Sequence, residues 1–190
     1  MNRKLFLLIT TGLIMKSRHV AASQYLTPEL IYFKDDGTIP NSRYPLLLYA
    51  DAFQYRNEEG ASWLEQKFLS NNWSNSWRNG IFTFQHYHSI THEVLGIYSG
   101  SVTVLLGGEK GKQVIAKAGD IIVIPAGVGH KNLGDDNLGV VGAYPNGMSV
   151  DIMRGEPGER PGVDRNIANV PLPATDPLLG IDRGLTTIWK

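Results

Sequence analysis

Between Gly80 and Tyr144 the apolar residues come in short runs separated by glycine, asparagine and aspartate, and none of the runs has helical spacing. Ile81–Phe84, Val94–Tyr98, Ser101–Leu106, Gln113–Ala116, Ile121–Ile124 and Val140–Tyr144 are predicted strands, with Gly107–Gly111 as a hairpin loop. Ile121–Ile124 is apolar at every position, as a strand buried on both faces would be. Upstream, Ile31–Phe33 and Tyr44–Tyr49 read as strands, and Lys34–Gly37 as a turn. One segment breaks the pattern: from Glu58 to Asn72, Trp63, Leu64, Lys67 and Phe68 recur at three- and four-residue spacing, which predicts a helix. After Pro145 the chain is loop-rich. Gly155–Gly162 reads as an exposed loop, Pro171–Pro177 as an extended wrap, and Leu185–Trp189 as a last strand or short helix. Strands this short and closely spaced indicate an all-β sandwich or barrel.

The first 25 residues stand apart from this pattern. Asn2-Arg3-Lys4 precedes an apolar run from Leu5 to Met15, interrupted at Thr10, Thr11 and Gly12 and too short to span a bilayer. The run has the outline of a signal peptide, with Val20-Ala21-Ala22 as a cleavage region, but Lys16, Arg18 and His19 place charge where such peptides have none. The balance favours the cytoplasm; export is the alternative if residues 1–22 are a signal peptide. The expected organisation is an extension over 1–25 and one domain over 26–190, with its core barrel at about 80–145. Lysine plus arginine equals aspartate plus glutamate at 18 each in 190 residues, so no charge excess points to nucleic acid or an anionic membrane. There is no cysteine, which excludes disulfides and thiolate chemistry.

The chemistry concentrates in two glycine-bounded stretches that hold four of the five histidines: Gly80 to Gly100, and Gly119 to His130. Alternate residues of a strand face one side, so His86 and His88 project together and Tyr87 projects oppositely. Glu93 opens the next strand after a turn through Ser89, Ile90 and Thr91, and can return to the same patch. His130 arrives from a separate stretch, after the turn at Pro125-Ala126-Gly127. Imidazoles and a carboxylate without a soft ligand suit one divalent Fe, Mn, Ni or Zn ion, with positions left open for substrate. His92 adjoins Glu93 and should face the other way. It is expected at the barrel mouth or as a donor behind the ligands, and would replace Glu93 only if the turn ran one residue differently. Tyr144 is expected to pack first and to line the pocket second. Trp73, Trp77 and Arg78 are expected to cover the barrel end, with walls of a substrate pocket as the alternative, and Asp151 and Arg154 to lie in solvated loop.

The two stretches resemble the motifs of the cupin superfamily. The first motif, Gly-x5-His-x-His-x4-Glu-x6-Gly, is matched at every position by Gly80, His86, His88, Glu93 and Gly100. The second, Gly-x5-Pro-x-Gly-x2-His-x3-Asn, is matched by Gly119, Pro125, Gly127 and His130, but position 134 is glycine and the nearest asparagine is Asn132. The wider run, including Phe33–Pro40, Pro45–Tyr49 and His88–Gly96, is similar to the YjlB-like single-domain cupins, a family with no firmly assigned reaction. The resemblance implies a cupin jelly-roll β-barrel with one short helix before the first motif. It implies a metal inside, ligated by His86, His88, Glu93 and His130; His92 and Tyr144, from their positions along the strands, are the candidates for the surrounding shell. It further implies a metal-dependent enzyme acting on a small oxygenated organic substrate by oxidation (dioxygenase-like), decarboxylation or isomerisation. The alternative is a non-enzymatic small-molecule binding or storage cupin. A homodimer is expected by analogy with other cupins; nucleic-acid and membrane partners are not.

Overall fold

The computed structural model describes residues 26–190. The sequence readings on residues 1–25, including His19 and the signal-like run, lie outside the described residues. Seven strands form one antiparallel system: β1 (Glu29–Ile31), β2 (Leu46–Tyr49), β3 (Trp73–Asn79), β4 (Glu93–Leu106), β5 (Lys112–Lys117), β6 (Ile121–Ile124) and β7 (His130–Pro145). Three helices accompany them: α1 (Asn57–Ser70), α2 (Gly162–Asn169) and α3 (Leu185–Ile188). The strand order is β1-β2-β6-β4-β7-β3, with β5 also paired to β4. β4 is the spine. It pairs with β7 along its length on one side, and on the other with β6 through its first half and β5 through its second.

Period-two alternation sorts the strands into two apolar layers. Leu47, Tyr49, Val94, Ile121, Val123, Val141 and Ala143 face outward onto Leu64 and Phe68 of α1 and onto Leu185 and Trp189 near the C-terminus. Leu46, Leu48, Leu95, Ile97, Ile122, Ile124 and Val140 face into the barrel. Both faces are therefore covered, which explains the uninterrupted apolar runs of β2 and β6. Helix α1 lies close against β4: a Cβ added to Gly96 would sit 2.5 Å from Leu64 Cδ2. Among the described residues no helix is long and apolar enough to cross a membrane.

The architecture is the expected all-β jelly roll, and α1 forms where the spacing predicts. Several elements differ from the sequence reading. The strands expected at Val94–Tyr98 and Ser101–Leu106 are one strand, with register shifts between Ile97 and Ser101 and with Gly100 at φ 65°. β7 begins ten residues before Val140, because its outer part, which includes exposed Leu133 to Asn137, pairs with β4 through backbone alone and needs no apolar alternation. β3 escaped notice because a bulge at Asn75 (φ 55°) breaks the alternation between Ser74 and Trp77. Ile81–Phe84 forms no strand. α2 is an additional helix; its Val163 and Ile167 pack with Ile39, Tyr87 and Met153. α3 takes the helical alternative at the C-terminus.

The C-terminal segment is fastened by a fully buried carboxylate. Asp176 accepts hydrogen bonds from the Tyr49 hydroxyl (2.6 Å) and from the backbone N–H groups of Leu178, Leu179 and Leu185 at 2.8–2.9 Å. Trp189 then donates from Nε1 to the Pro45 carbonyl at 2.9 Å, and its ring stacks on Tyr44.

Candidate metal centre

The two motifs meet through backbone. His86 N–H donates to the His130 carbonyl (3.2 Å), and His130 N–H donates to the His86 carbonyl (2.8 Å). Gly127 N–H donates to the His88 carbonyl at 2.8 Å. Gly127 holds φ 91°, and a Cβ there would lie 2.4 Å from the Asn41 carbonyl oxygen, so this tight turn requires glycine. Glu93, at the start of β4, shares the barrel-facing side with Leu95 and Ile97. All four side chains are buried.

Each of the three imidazoles has its Nδ1 beside a backbone carbonyl: His86 with Phe84 (3.3 Å), His88 with Asp151 (2.5 Å) and His130 with Val128 (3.2 Å). A proton on each Nδ1 satisfies these contacts and leaves the Nε2 lone pairs free, which is the usual arrangement behind a metal-ligating histidine. One ligand atom from each ring lies within 4.8 Å of the other two. Glu93 Oε2 is 3.3 Å from Nε2 of both His88 and His130, in an alignment that leaves this buried oxygen without a hydrogen-bond donor. Three histidine nitrogens grouped this closely, with an unpartnered carboxylate oxygen beside two of them, could hold one divalent cation.

The electrostatics favour the same assignment. Burial, and then the neighbouring His130 and His88, push the His86 imidazole down to about 3, so it stays neutral and able to ligate. Burial alone would raise Glu93, but the charge of His88 and the contacts to His130 and His88 outweigh it and hold the carboxyl well below its ordinary range. Burial alone would lower His88. Its pairing with Glu93, together with the Asp151 carbonyl, raises it instead. A buried carboxylate thus calls for a cation, which a proton on His88 or a bound metal ion can supply.

The structure brings together His86, His88, Glu93 and His130. It sets Tyr144 beside them, with its ring 6.2 Å from that of His88 and its hydroxyl accepting from Trp77 Nε1 at 2.9 Å. His92 is not in this group. It faces the outer layer, 4.8 Å from the Trp189 ring, and its Nδ1 accepts from Ala126 N–H at 2.9 Å. Burial pushes it down to about 4, so it is a neutral side chain that holds the turn leading to His130. Asn132 accepts from Gly134 N–H and donates to Asp135, apart from the ligand set. Tyr87 is a core residue bonded to Glu159 at 2.6 Å.

Sequence reasoning missed the role of Asp151. Far from being solvated loop, its carbonyl takes the His88 Nδ1 proton and its carboxylate accepts from Ser89 N–H (2.7 Å) and Ser89 Oγ (2.5 Å). Asn166 of α2 donates to the same hydroxyl at 3.0 Å. Arg154 covers the Phe84 ring at 3.9 Å. Nothing in the spacing of Asp151 pointed at a partner 62 residues earlier.

Above the four side chains opens a cavity of about 280 Å³, walled by Trp77, Ile81, Phe82, Leu95, Val150 and Ile152. Of the two early tryptophans, Trp77 lines this cavity, while Trp73 is buried and donates to the Thr175 carbonyl.

No family model matches the chain. It is 42% identical over 160 residues to the uncharacterized protein YjlB of Bacillus subtilis (strain 168), a match covering 83% of this chain and 94% of that protein. The chain belongs to the YjlB family. Solved structures overlap it only in part. Bacillus subtilis oxalate decarboxylase is 19% identical over 58% of this chain, with a TM-score of 0.35, and the chain spans 28% of that protein's length. Bacillus anthracis acireductone dioxygenase, with cadmium in its active centre, is 19% identical over 47% of this chain and 60% of its own, with a TM-score of 0.35. A Thermotoga maritima protein of the DUF861 family is 25% identical over 48% of this chain and 92% of its own, with a TM-score of 0.29.

Proposed function

We propose that this YjlB-family cupin is a metal-dependent enzyme acting on a small oxygenated organic substrate by oxidation, decarboxylation or isomerisation. The observation that carries this reading is the buried set of His86, His88, His130 and Glu93 on the floor of an open cavity, each ring anchored through Nδ1. A divalent ion held there would supply Lewis acidity and a template for an oxygen-bearing substrate. Oxidation is one of three chemistries such a site supports, and the identity of the bound metal would weight them: a redox-active ion favours oxidation.

The chain's own groups have definite tasks. Glu93 supplies the only charge among the four ligands and lowers the net charge of the ion they hold. Tyr144 accepts from Trp77, so its own O–H is free to donate toward Glu93 or an oxygen in the cavity. The apolar walls offer no hydrogen bonds of their own, so electrostatic contacts made on the floor meet less competition there than in bulk water.

Metal content after purification without chelators tests the first step, and stoichiometric metal is expected. Less than about a tenth of an ion per chain, unchanged by added Fe, Mn, Ni or Zn, would refute it. Glu93→Gln should lose metal affinity while the protein still folds; retained full affinity would show that the ligand set is wrong.

A further inference from the structure

The walls of the cavity restrict what can enter. Trp77, Ile81, Phe82, Leu95, Val150 and Ile152 present hydrocarbon and ring faces. Apart from the four candidate ligands and Arg78, the polar side chains lining the cavity are Tyr144 and Asn79, and the Asn79 Oδ1 is taken up by the Gly80 N–H at 2.8 Å. One cationic residue, Arg78, reaches the rim, but its guanidinium is fully engaged elsewhere. Nε and Nη2 form a fork with the Glu65 carboxylate at 2.8 and 2.7 Å, and Nη1 meets Glu58 at 2.7 Å. Both carboxylates belong to α1, so the charge of Arg78 is held by the helix.

A small dianion entering this space would lose water to the apolar walls and find no free cation beside the metal. Burial of an uncompensated charge is strongly unfavourable. A polyhydroxylated molecule would fare little better, because beyond Tyr144 and Asn79 its hydroxyls would face carbon. The size of the space points the same way. An apolar cavity of about 150 Å³ accommodates a benzene ring, so one of about 280 Å³ has room for a ring and a chelating head.

We propose that the cavity selects a neutral or singly ionised molecule with a flat apolar body, aromatic or of similar shape, and a two-oxygen chelating head, with Trp77 and Phe82 holding the body and Tyr144 facing the head. This inference rests on the metal reading above. It assigns Trp77 and Phe82 as specificity residues, and it sets small dicarboxylates and sugars aside as substrates.

Metal-loaded protein, its stoichiometry first established by mass spectrometry, would be titrated calorimetrically with benzohydroxamate, acetohydroxamate and oxalate. The first two probes share one chelating head and differ in the ring. Benzohydroxamate should bind at least about tenfold more tightly than acetohydroxamate, the ring adding buried apolar area. Oxalate should bind more weakly than benzohydroxamate. Phe82→Ala should reduce the ring preference several-fold and leave acetohydroxamate affinity unchanged. Phe82 is 45% exposed, so the variant should keep the native melting temperature. Ile152→Ala, at another wall position that is also exposed, provides a second variant with the same expected direction. Equal affinity for the two hydroxamates, or oxalate as the tightest probe, would overturn the inference while leaving the metal reading standing. Failure to load any metal would overturn both.

Discussion

Replacing Asp151 with alanine tests how His88 is held. The carboxylate accepts two hydrogen bonds from Ser89, at 2.7 Å from the backbone N–H and 2.5 Å from Oγ, and Ser89 is fully buried. In Asp151→Ala the Ser89 N–H loses its partner, and its hydroxyl keeps only Asn166. Hydrogen bonds to a charged acceptor contribute about 1.5–3 kcal/mol each, and Asp151 is only half-buried, so water entering in its place offsets part of the loss and the expected destabilisation is about 2–4 kcal/mol. For a chain of this length, 1 kcal/mol shifts Tm by about 2–4 °C, which gives a fall of about 5–15 °C. The same substitution loosens the Asp151 carbonyl that fixes the His88 ring through Nδ1. Loss of such a partner weakens metal binding by about 10–100-fold. Metal affinity would be measured by competition against a chelator of known strength, and stability by calorimetry. Asp151→Asn keeps one acceptor oxygen and should lose less on both scales. If Asp151→Ala melted lower yet bound metal within about twofold of wild type, the carbonyl contact would not be what orients His88, and the reasoning would fail.

Other expectations follow from particular residues. Burial opposes ionisation of Glu159, but the Tyr87 hydroxyl and the N–H groups of Arg154, Glu156 and Gly155 outweigh it and hold its carboxyl below the ordinary 4.5. Its contribution to stability is therefore present above pH 4.5 and is lost as pH falls through the lower folded value. Glu159→Gln should flatten the decline of Tm between pH 6 and pH 3, and an unchanged slope would contradict this. Asp176→Ala strands three N–H groups and the Tyr49 hydroxyl in the core, and should cost about 3–5 kcal/mol, read as a fall in the urea midpoint. Loss of less than about 1 kcal/mol would mean that water or rearrangement replaces the carboxylate. Gly142→Ala would place a Cβ 2.2 Å from the Trp77 ring, forcing the indole aside. Tryptophan fluorescence should shift, and affinity for a ring-bearing chelator should fall while affinity for acetohydroxamate holds; a native spectrum would show that the wall is not packed as described.

The sequence alone determined what depends on local spacing. Short apolar runs bounded by turn residues identified β2, β6 and parts of β4 and β7, and strand alternation set His86 and His88 to one side and divided Glu93 from His92. Ligand types at motif spacing pointed to the metal-site candidates before any geometry was available. Only the tertiary structure decided what depends on distant chain segments meeting. β3 and the outer half of β7 are held by backbone pairing to strands formed elsewhere, so their side-chain patterns carry little signal. Asp151 reaches Ser89 and Asp176 reaches Tyr49 across 62 and 127 positions, spacings with no periodic mark. The cavity wall joins Trp77, Phe82, Leu95 and Ile152, none of which is distinctive in its own stretch, and the engagement of Arg78 by α1 shows in no local pattern. A ligand set can be read from residue type and spacing because coordination demands both; a substrate pocket is a shape and a balance of charge, and these exist only once the chain has closed on itself.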